Sequence, residues 1–159
     1  MSYIPSTERP HLVIVGKATG AEEEKYEKEL TEYSRKFNLN KFIHFVGYRQ
    51  NPASIIKSCD ALVLISDNEP FGRVVAEAQG VGVPVVGAMT GGIPEVLDNR
   101  LGRLVNADDA NDIAKGIRQV LAQKYSINLR TKVANNIVCK FDTEKYRDEI
   151  IKVFNILNP

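Results

Sequence analysis

Three features are scarce in this sequence of 159 residues, and each scarcity argues against a class of protein. Its two cysteines, Cys59 and Cys139, lie far apart without metal-ligand spacing, which disfavours a secreted disulfide scaffold and favours thiols in a reducing compartment. The 21 basic and 20 acidic residues nearly cancel, so no overall field favours nucleic acid or an anionic membrane. Apolar runs stay short of about 18 residues, the length of a membrane span, and the first residues do not resemble a signal sequence, so we expect a cytoplasmic location.

The composition is that of a globular domain, with 43% hydrophobic and 26% charged residues. Apolar runs of strand length alternate with helical segments along the chain; the runs are HLVIVG (11–16), FIHFVG (42–47), ALVLIS (61–66), VPVVGA (83–88) and GRLV (102–105). This alternation predicts an α/β fold, a Rossmann-like doubly wound parallel sheet in a single domain over residues 1–159. The pattern from about 109 to 157 predicts three helices, at 109–124, 127–139 and 142–157, and no further strand.

The segments that follow the strands are the first places to look for a site, because a doubly wound sheet binds ligands at the carboxyl ends of its strands. The stretch SDNEPFG (66–72) places Glu69 directly after the third run, and a helix is expected to begin near Phe71 or Gly72. Gly72 has no side chain to block a ligand. The first amides of the helix, at about Gly72, Arg73 and Val74, therefore predict an anion site at the positive end of the helix dipole.

A second acid, Glu77, follows on the same helix, with Arg73 one turn before it. A carboxylate there is well placed to accept two hydrogen bonds from a vicinal diol, such as a ribose 2'-OH and 3'-OH. The structural alternative is an ordinary acid near a helix start and an ordinary i,i+4 ion pair. A hydrolase-like acid and nucleophile pair of Glu69 and Glu77 is the weaker chemical alternative.

The stretch EPFGRVVAE resembles the glutamate, seven residues, glutamate motif of family 4 (group 1) retaining glycosyltransferases, which have the GT-B fold. Five segments are similar to the family in order and spacing: HLVIVGKATG, KFIHFVGY, CDALVLISDNEPFG, GVPVVGAMTGGIPEVL and LGRLVNADDANDIAKGI. The resemblance implies the C-terminal, nucleotide-sugar-binding half of such an enzyme. It implies transfer of a glycosyl group from a nucleotide-diphosphate sugar to an acceptor hydroxyl with retention, without a metal ion or other cofactor.

The resemblance also implies roles for the two acids and the helix start between them. Glu77 would hold the ribose hydroxyls, and the backbone at Gly72, Arg73 and Val74, together with Phe71, would meet the diphosphate or the sugar. Glu69 would face the donor sugar as the catalytic residue, stabilising the positive charge that develops at the anomeric carbon.

Four residues at neighbouring strand ends complete the predicted donor site. Tyr48 and Arg49 would border the nucleobase, and the alternative is that Tyr48 only covers the end of the sheet. Gly16 and Lys17 end the first run, and Lys17 would approach a phosphate unless it is simply solvated.

Two other sets of residues are interpreted as mainly structural. Gly91 and Gly92 predict a tight turn into a helix at Ile93, which contacts the sugar or serves packing alone. His11 and His44 fall within strand patterns and have no partners at ligand spacing, so we expect no metal site.

The sequence also departs from the family pattern. Members carry, before the strand that corresponds to residues 11–15, a further strand, a glycine-arginine loop with a following lysine, and a helix; MSYIPSTERP matches none of these. We therefore expect a sheet lacking the family's first strand, self-association through its incomplete edge, and no catalysis without an N-terminal acceptor domain. The alternatives are a non-catalytic nucleotide-sugar-binding module or another GT-B enzyme, an epimerase or phosphorylase. A phosphoacceptor signalling domain is disfavoured because GKATG supplies no pair of acids.

Overall fold

The computed structural model describes residues 1–145, 147, 148 and 151, and the chain divides into two compact units. We call residues 1–55 the N-terminal unit and residues 56–159 the C-terminal unit, and each is described by itself. The single domain expected from the sequence stays a prediction. Among the residues described, no helix is both long and apolar enough to cross a membrane.

The N-terminal unit contains a parallel two-stranded sheet with one helix between its strands. Strand β1 (Leu12–Val15) pairs with β2 (Ile43–Gly47), and α1 (Ala21–Lys36) connects them. Helix α1 begins after Gly20, and three glutamates in its first turn complement the helix dipole. It ends in a turn at Asn38, which has a positive φ of 53°. A short helix, α2 (Pro52–Lys57), follows and crosses the division between the units.

The C-terminal unit contains a parallel three-stranded sheet whose strands lie in the order β3-β4-β5. Its elements are β3 (Leu62–Leu64), α3 (Arg73–Gly80), β4 (Val85–Ala88), α4 (Ile93–Val96), a 3-10 helix (Asn99–Leu101), β5 (Gly102–Val105), α5 (Ala110–Ala122) and α6 (Ile127–Lys140).

Helices cover both faces of this sheet. Strand β4 contributes to the core on each face, because successive side chains of a strand point to opposite faces. Val85 packs with Val75 of α3 and Ile93 of α4 in one buried cluster. Val86 packs on the other face with Val120 of α5. The α/β fold with parallel strands that the sequence predicted is therefore confirmed.

The starts of the last two full helices follow from their capping residues. The side chain of Asp109 accepts hydrogen bonds from the first-turn amides of α5, and Ser126 does the same for α6. Residues 143–145, 147, 148 and 151 are helical, as predicted for 142–157, and the rest of that prediction lies outside the described residues. The 3-10 helix Asn99–Leu101 was not predicted.

Candidate functional site

The loop between β3 and α3 holds Glu69 through its backbone and its side chain. The Glu69 carbonyl accepts a hydrogen bond of 2.9 Å from the N–H of Gly92. The Glu69 carboxylate, half-buried, accepts one of 2.9 Å from the N–H of Gly72. The first amide of the predicted anion site is therefore bonded to the protein's own carboxylate, an arrangement that the sequence did not predict.

Helix α3 begins directly behind this carboxylate. Gly72 adopts the left-handed conformation (φ 79°), and a Cβ added there would lie 3.3 Å from Ile93 Cγ1. The N–H of Val75 donates to the Gly72 carbonyl at 2.8 Å. The amides of Arg73 and Val74 precede this bond and have no acceptor within the helix, so they are the donors that the helix start offers to an anion.

The turn Thr90–Gly92 packs directly against the Glu69 loop. The Thr90 hydroxyl donates a 2.6 Å hydrogen bond to the carbonyl of Ser66. Gly91 has a φ of 53°, and a Cβ there would overlap the Glu69 carbonyl oxygen; a Cβ on Gly92 would lie 2.5 Å from the carbonyl oxygen of Pro70. The packing explanation therefore accounts for both glycines, and helix α4 begins at Ile93 as predicted.

Glu77 lies one turn along α3 with Arg73 as its partner. The Arg73 Nε donates to Glu77 Oε1 at 3.3 Å, and the two side chains are 85% and 34% exposed. An exposed i,i+4 pair of this kind contributes about 0.3–0.5 kcal/mol. The ion pair therefore contributes too little stability to explain why a largely covered position, 77, carries an acid.

Phe71 completes the start of α3 through an aromatic contact. Its ring, on a residue that is 45% exposed, meets the Phe141 ring edge-on, with the centroids 5.3 Å apart and an interplanar angle of 85°. Phe141 caps α6. No local motif in the sequence marks Phe141 or Thr90 as site residues, and only the tertiary structure brings them to the loop.

The other four predicted residues lie together at one edge of the N-terminal unit. The N–H of Gly16 donates to the carbonyl of Gly47 at 3.1 Å, which joins the ends of β1 and β2. Lys17 is exposed, Tyr48 is 66% exposed, and Arg49 bonds the Tyr48 carbonyl. Their roles toward a base or phosphate stay predictions.

A metal centre built from several side chains is not formed by the described residues. Within that part of the chain, no group of three or more histidine, cysteine, aspartate or glutamate side chains is placed to hold an ion.

Comparison with known proteins gives matches over most of the chain. A sequence model of the family described as "Glycosyl transferases group 1" matches residues 1–138. A D-inositol 3-phosphate glycosyltransferase of Corynebacterium aurimucosum is 34% identical over 116 residues, covering 71% of this chain and 27% of that protein.

Solved structures give the same result for the fold. A crystal structure of Anabaena HepE in complex with UDP matches with a TM-score of 0.85 and 25% identity, covering 97% of this chain and 42% of that one. A structure of the same protein in complex with UDP-glucose matches with a TM-score of 0.80 and 26% identity, covering 91% and 40%.

The chain thus spans between about a quarter and two fifths of the length of these proteins. The family match extends over the first 138 of 159 residues and includes both glutamates of the EPFGRVVAE motif. This chain belongs to the group 1 glycosyl transferases.

Proposed function

We propose that this chain binds the donor of a glycosyltransferase that moves a glycosyl group from a nucleotide-diphosphate sugar to an acceptor hydroxyl. Membership of the group 1 family supports the reaction class. UDP and UDP-glucose are bound in the HepE structures, so a uridine donor is the first candidate.

The observation that carries the proposal is the pair of acids around the start of α3. Hydrogen bonds from Gly72 and Gly92 hold Glu69 at the start of the helix. Glu77 lies on the helix itself, and its ion pair with the exposed Arg73 contributes little to stability. Between them, the amides of Arg73 and Val74 have no acceptor within the helix. An anion at those amides, flanked by carboxylates that accept hydrogen bonds from hydroxyls, is the chemistry of a sugar diphosphate.

This arrangement supports the following proposed roles. Glu77 accepts hydrogen bonds from the ribose hydroxyls, and the helix start stabilises the negative charge that grows on the leaving diphosphate, so the reaction needs no resident metal ion. Glu69 faces the donor sugar and stabilises positive charge at the anomeric carbon. We further propose retention at that carbon, base and phosphate contacts from Tyr48, Arg49 and Lys17, and donor binding without transfer by residues 1–159 alone.

One observation favours a second candidate, a module that binds nucleotide sugars without catalysis. The Glu69 carboxylate accepts a hydrogen bond from the N–H of Gly72, as a side chain that caps a helix does. In this alternative Glu69 stabilises α3 and Glu77 still binds ribose.

The test is titration calorimetry of the whole chain with UDP, GDP and ADP and with their glucose conjugates, on the wild type and on Glu77→Gln and Glu69→Gln. The matched control is Glu29→Gln, because Lys25 and Glu29 also form an exposed i,i+4 pair. We expect Glu77→Gln to weaken nucleotide binding by about 1.5–3 kcal/mol, the contribution of hydrogen bonds to a charged group, while Glu29→Gln leaves nucleotide binding unchanged.

The two acids separate the candidates. In the catalytic proposal, Glu69→Gln weakens binding of the sugar conjugate more than of the free diphosphate and leaves the free energy of unfolding nearly unchanged. In the capping alternative, Glu69→Gln leaves the binding of both ligands nearly unchanged, because the Gln oxygen still accepts the Gly72 N–H, whereas Glu69→Ala lowers the free energy of unfolding by about 1 kcal/mol and weakens both ligands equally. A folded wild type that binds none of the six ligands contradicts both.

A further inference from the structure

Two histidines that are far apart in the sequence meet on the surface of the N-terminal unit. His11 immediately precedes β1 and His44 lies in β2, and the parallel register pairs Val13 with His44. Residues 11 and 13 of the chain point to one face together with His44, because side chains alternate along a strand. His11 Nδ1 and His44 Nε2 are 2.9 Å apart, and the ring planes differ by 25° with centroids 5.1 Å apart.

The hydrogen bond between the two rings contributes little to the stability of the fold. Both histidines are exposed, so water competes for the bond and its net contribution to stability is small. The bond also requires a specific tautomer, with an N–H on one of the facing nitrogens and a lone pair on the other. When both rings carry their proton on the far nitrogen, two lone pairs share the same small space.

We propose that His11 and His44 bind a divalent transition-metal ion, preferentially Cu²⁺ or Ni²⁺. Two imidazole nitrogens at bond lengths of about 2.0–2.1 Å lie about 2.9 Å apart when the angle at the ion is about 90°, and about 3.3 Å apart at a tetrahedral angle. The spacing of 2.9 Å equals this right-angle value and is also the ordinary length of the hydrogen bond that joins the rings, so both rings must turn toward an ion that takes the place of the shared proton. Right angles between nitrogen ligands are typical of tetragonal Cu²⁺ and Ni²⁺, whereas Zn²⁺ is usually tetrahedral.

The neighbouring strands hold this pair in place before an ion arrives. Backbone pairing of Leu12 with Ile43 fixes the distance between the two strands, and the His11 ring also contacts the Phe42 ring, with the centroids 5.7 Å apart. Within the described residues no acidic or thiol group completes a cluster of three with them, so water fills the remaining positions of the ion. Hard cations such as Mg²⁺ and Ca²⁺, which take oxygen ligands, are therefore not bound.

The test uses the full chain, prepared without a histidine tag and carrying Cys59→Ser and Cys139→Ser so that thiols do not compete for the metal. Calorimetric titration with NiCl₂ and with MgCl₂ compares this protein with His11→Gln and His44→Gln. We expect one Ni²⁺ per chain and no Mg²⁺. Either substitution should weaken Ni²⁺ binding about 100-fold, because the second ligand binds at the high effective concentration set by the first.

NMR of the wild-type imidazole signals tests the same pair without any histidine substitution. The chain has only two histidines, so imidazole NMR signals report on this pair alone. Substoichiometric Cu²⁺ should broaden the signals of both rings together. Broadening of one ring alone, Ni²⁺ affinities that are equal in the wild type and a folded variant, or no Ni²⁺ binding by the wild type would overturn the proposal.

Discussion

The turn at Gly91 offers the sharpest test of how the Glu69 loop is held. In Gly91→Ala, the alanine must adopt the left-handed conformation at φ 53°, which costs about 1–2 kcal/mol. Its Cβ also overlaps the carbonyl oxygen of Glu69, a backbone atom that cannot rotate away. Relieving such an overlap costs about 1–3 kcal/mol, and the Gly92 to Glu69 hydrogen bond, worth about 1 kcal/mol, is lost as the loop shifts. We expect a total loss of about 3–6 kcal/mol in the free energy of unfolding.

Two other glycines provide matched controls with positive φ but without the overlap. Gly47 has φ 69°, and a Cβ added there would meet no atom within 4 Å; Gly82 has φ 78°, and its added Cβ would lie 3.3 Å from Arg130 Cβ. Gly47→Ala should therefore lose only about 1–2 kcal/mol, and Gly82→Ala slightly more. Urea denaturation followed by far-UV circular dichroism is the suitable assay, because the chain has no tryptophan. A Gly91→Ala protein that is no less stable than Gly47→Ala would refute the close approach of the turn to Glu69.

Two further changes test the segment that follows α4. The Gln79 side chain is fully buried, donates hydrogen bonds to the carbonyls of Asp98 and Leu101, and accepts one from the N–H of Asp98. Gln79→Leu leaves these buried backbone groups unpaired and should lower the free energy of unfolding by about 3 kcal/mol. A loss under about 1 kcal/mol in urea denaturation contradicts this expectation. The hydrogen bond from the Arg100 side chain lowers the pKa of the Asp98 carboxyl below its ordinary 3.8, against a smaller opposing effect of burial. The folded state therefore holds this proton less tightly than the unfolded state, so the stabilisation is complete above about pH 4 and is lost as the pH falls through the lowered pKa. Arg100→Gln should be less stable than the wild type at about pH 7, and the difference in urea midpoint should shrink as the pH falls below about 4; a difference that grows on acidification contradicts the assignment.

Local patterns were sufficient for most elements of the fold. The apolar runs predicted the five strands found among the described residues, and Ser126 and Asp109 stand where side-chain caps begin helices. The run at 61–66 proved longer than the strand Leu62–Leu64, because an apolar sequence continues past the last paired residue. The 3-10 helix escaped prediction because the buried side chain of Gln79, which bonds both of its ends, lies about twenty positions earlier.

In the candidate site, too, some features depend on local sequence and others on contacts between distant residues. Local sequence was enough to predict the two acids, the glycine at the helix start and the spacing that brings Glu77 onto the same helix, since all of these depend on neighbours within a few residues. Three contacts became visible only in the folded chain: the hydrogen bond from Gly72 to Glu69, the packing of Gly91 and Gly92 against the Glu69 loop, and the contact between His11 and His44. These contacts join segments that approach one another only when the strands pair and the helices pack, and no local pattern records which distant residue will be the neighbour.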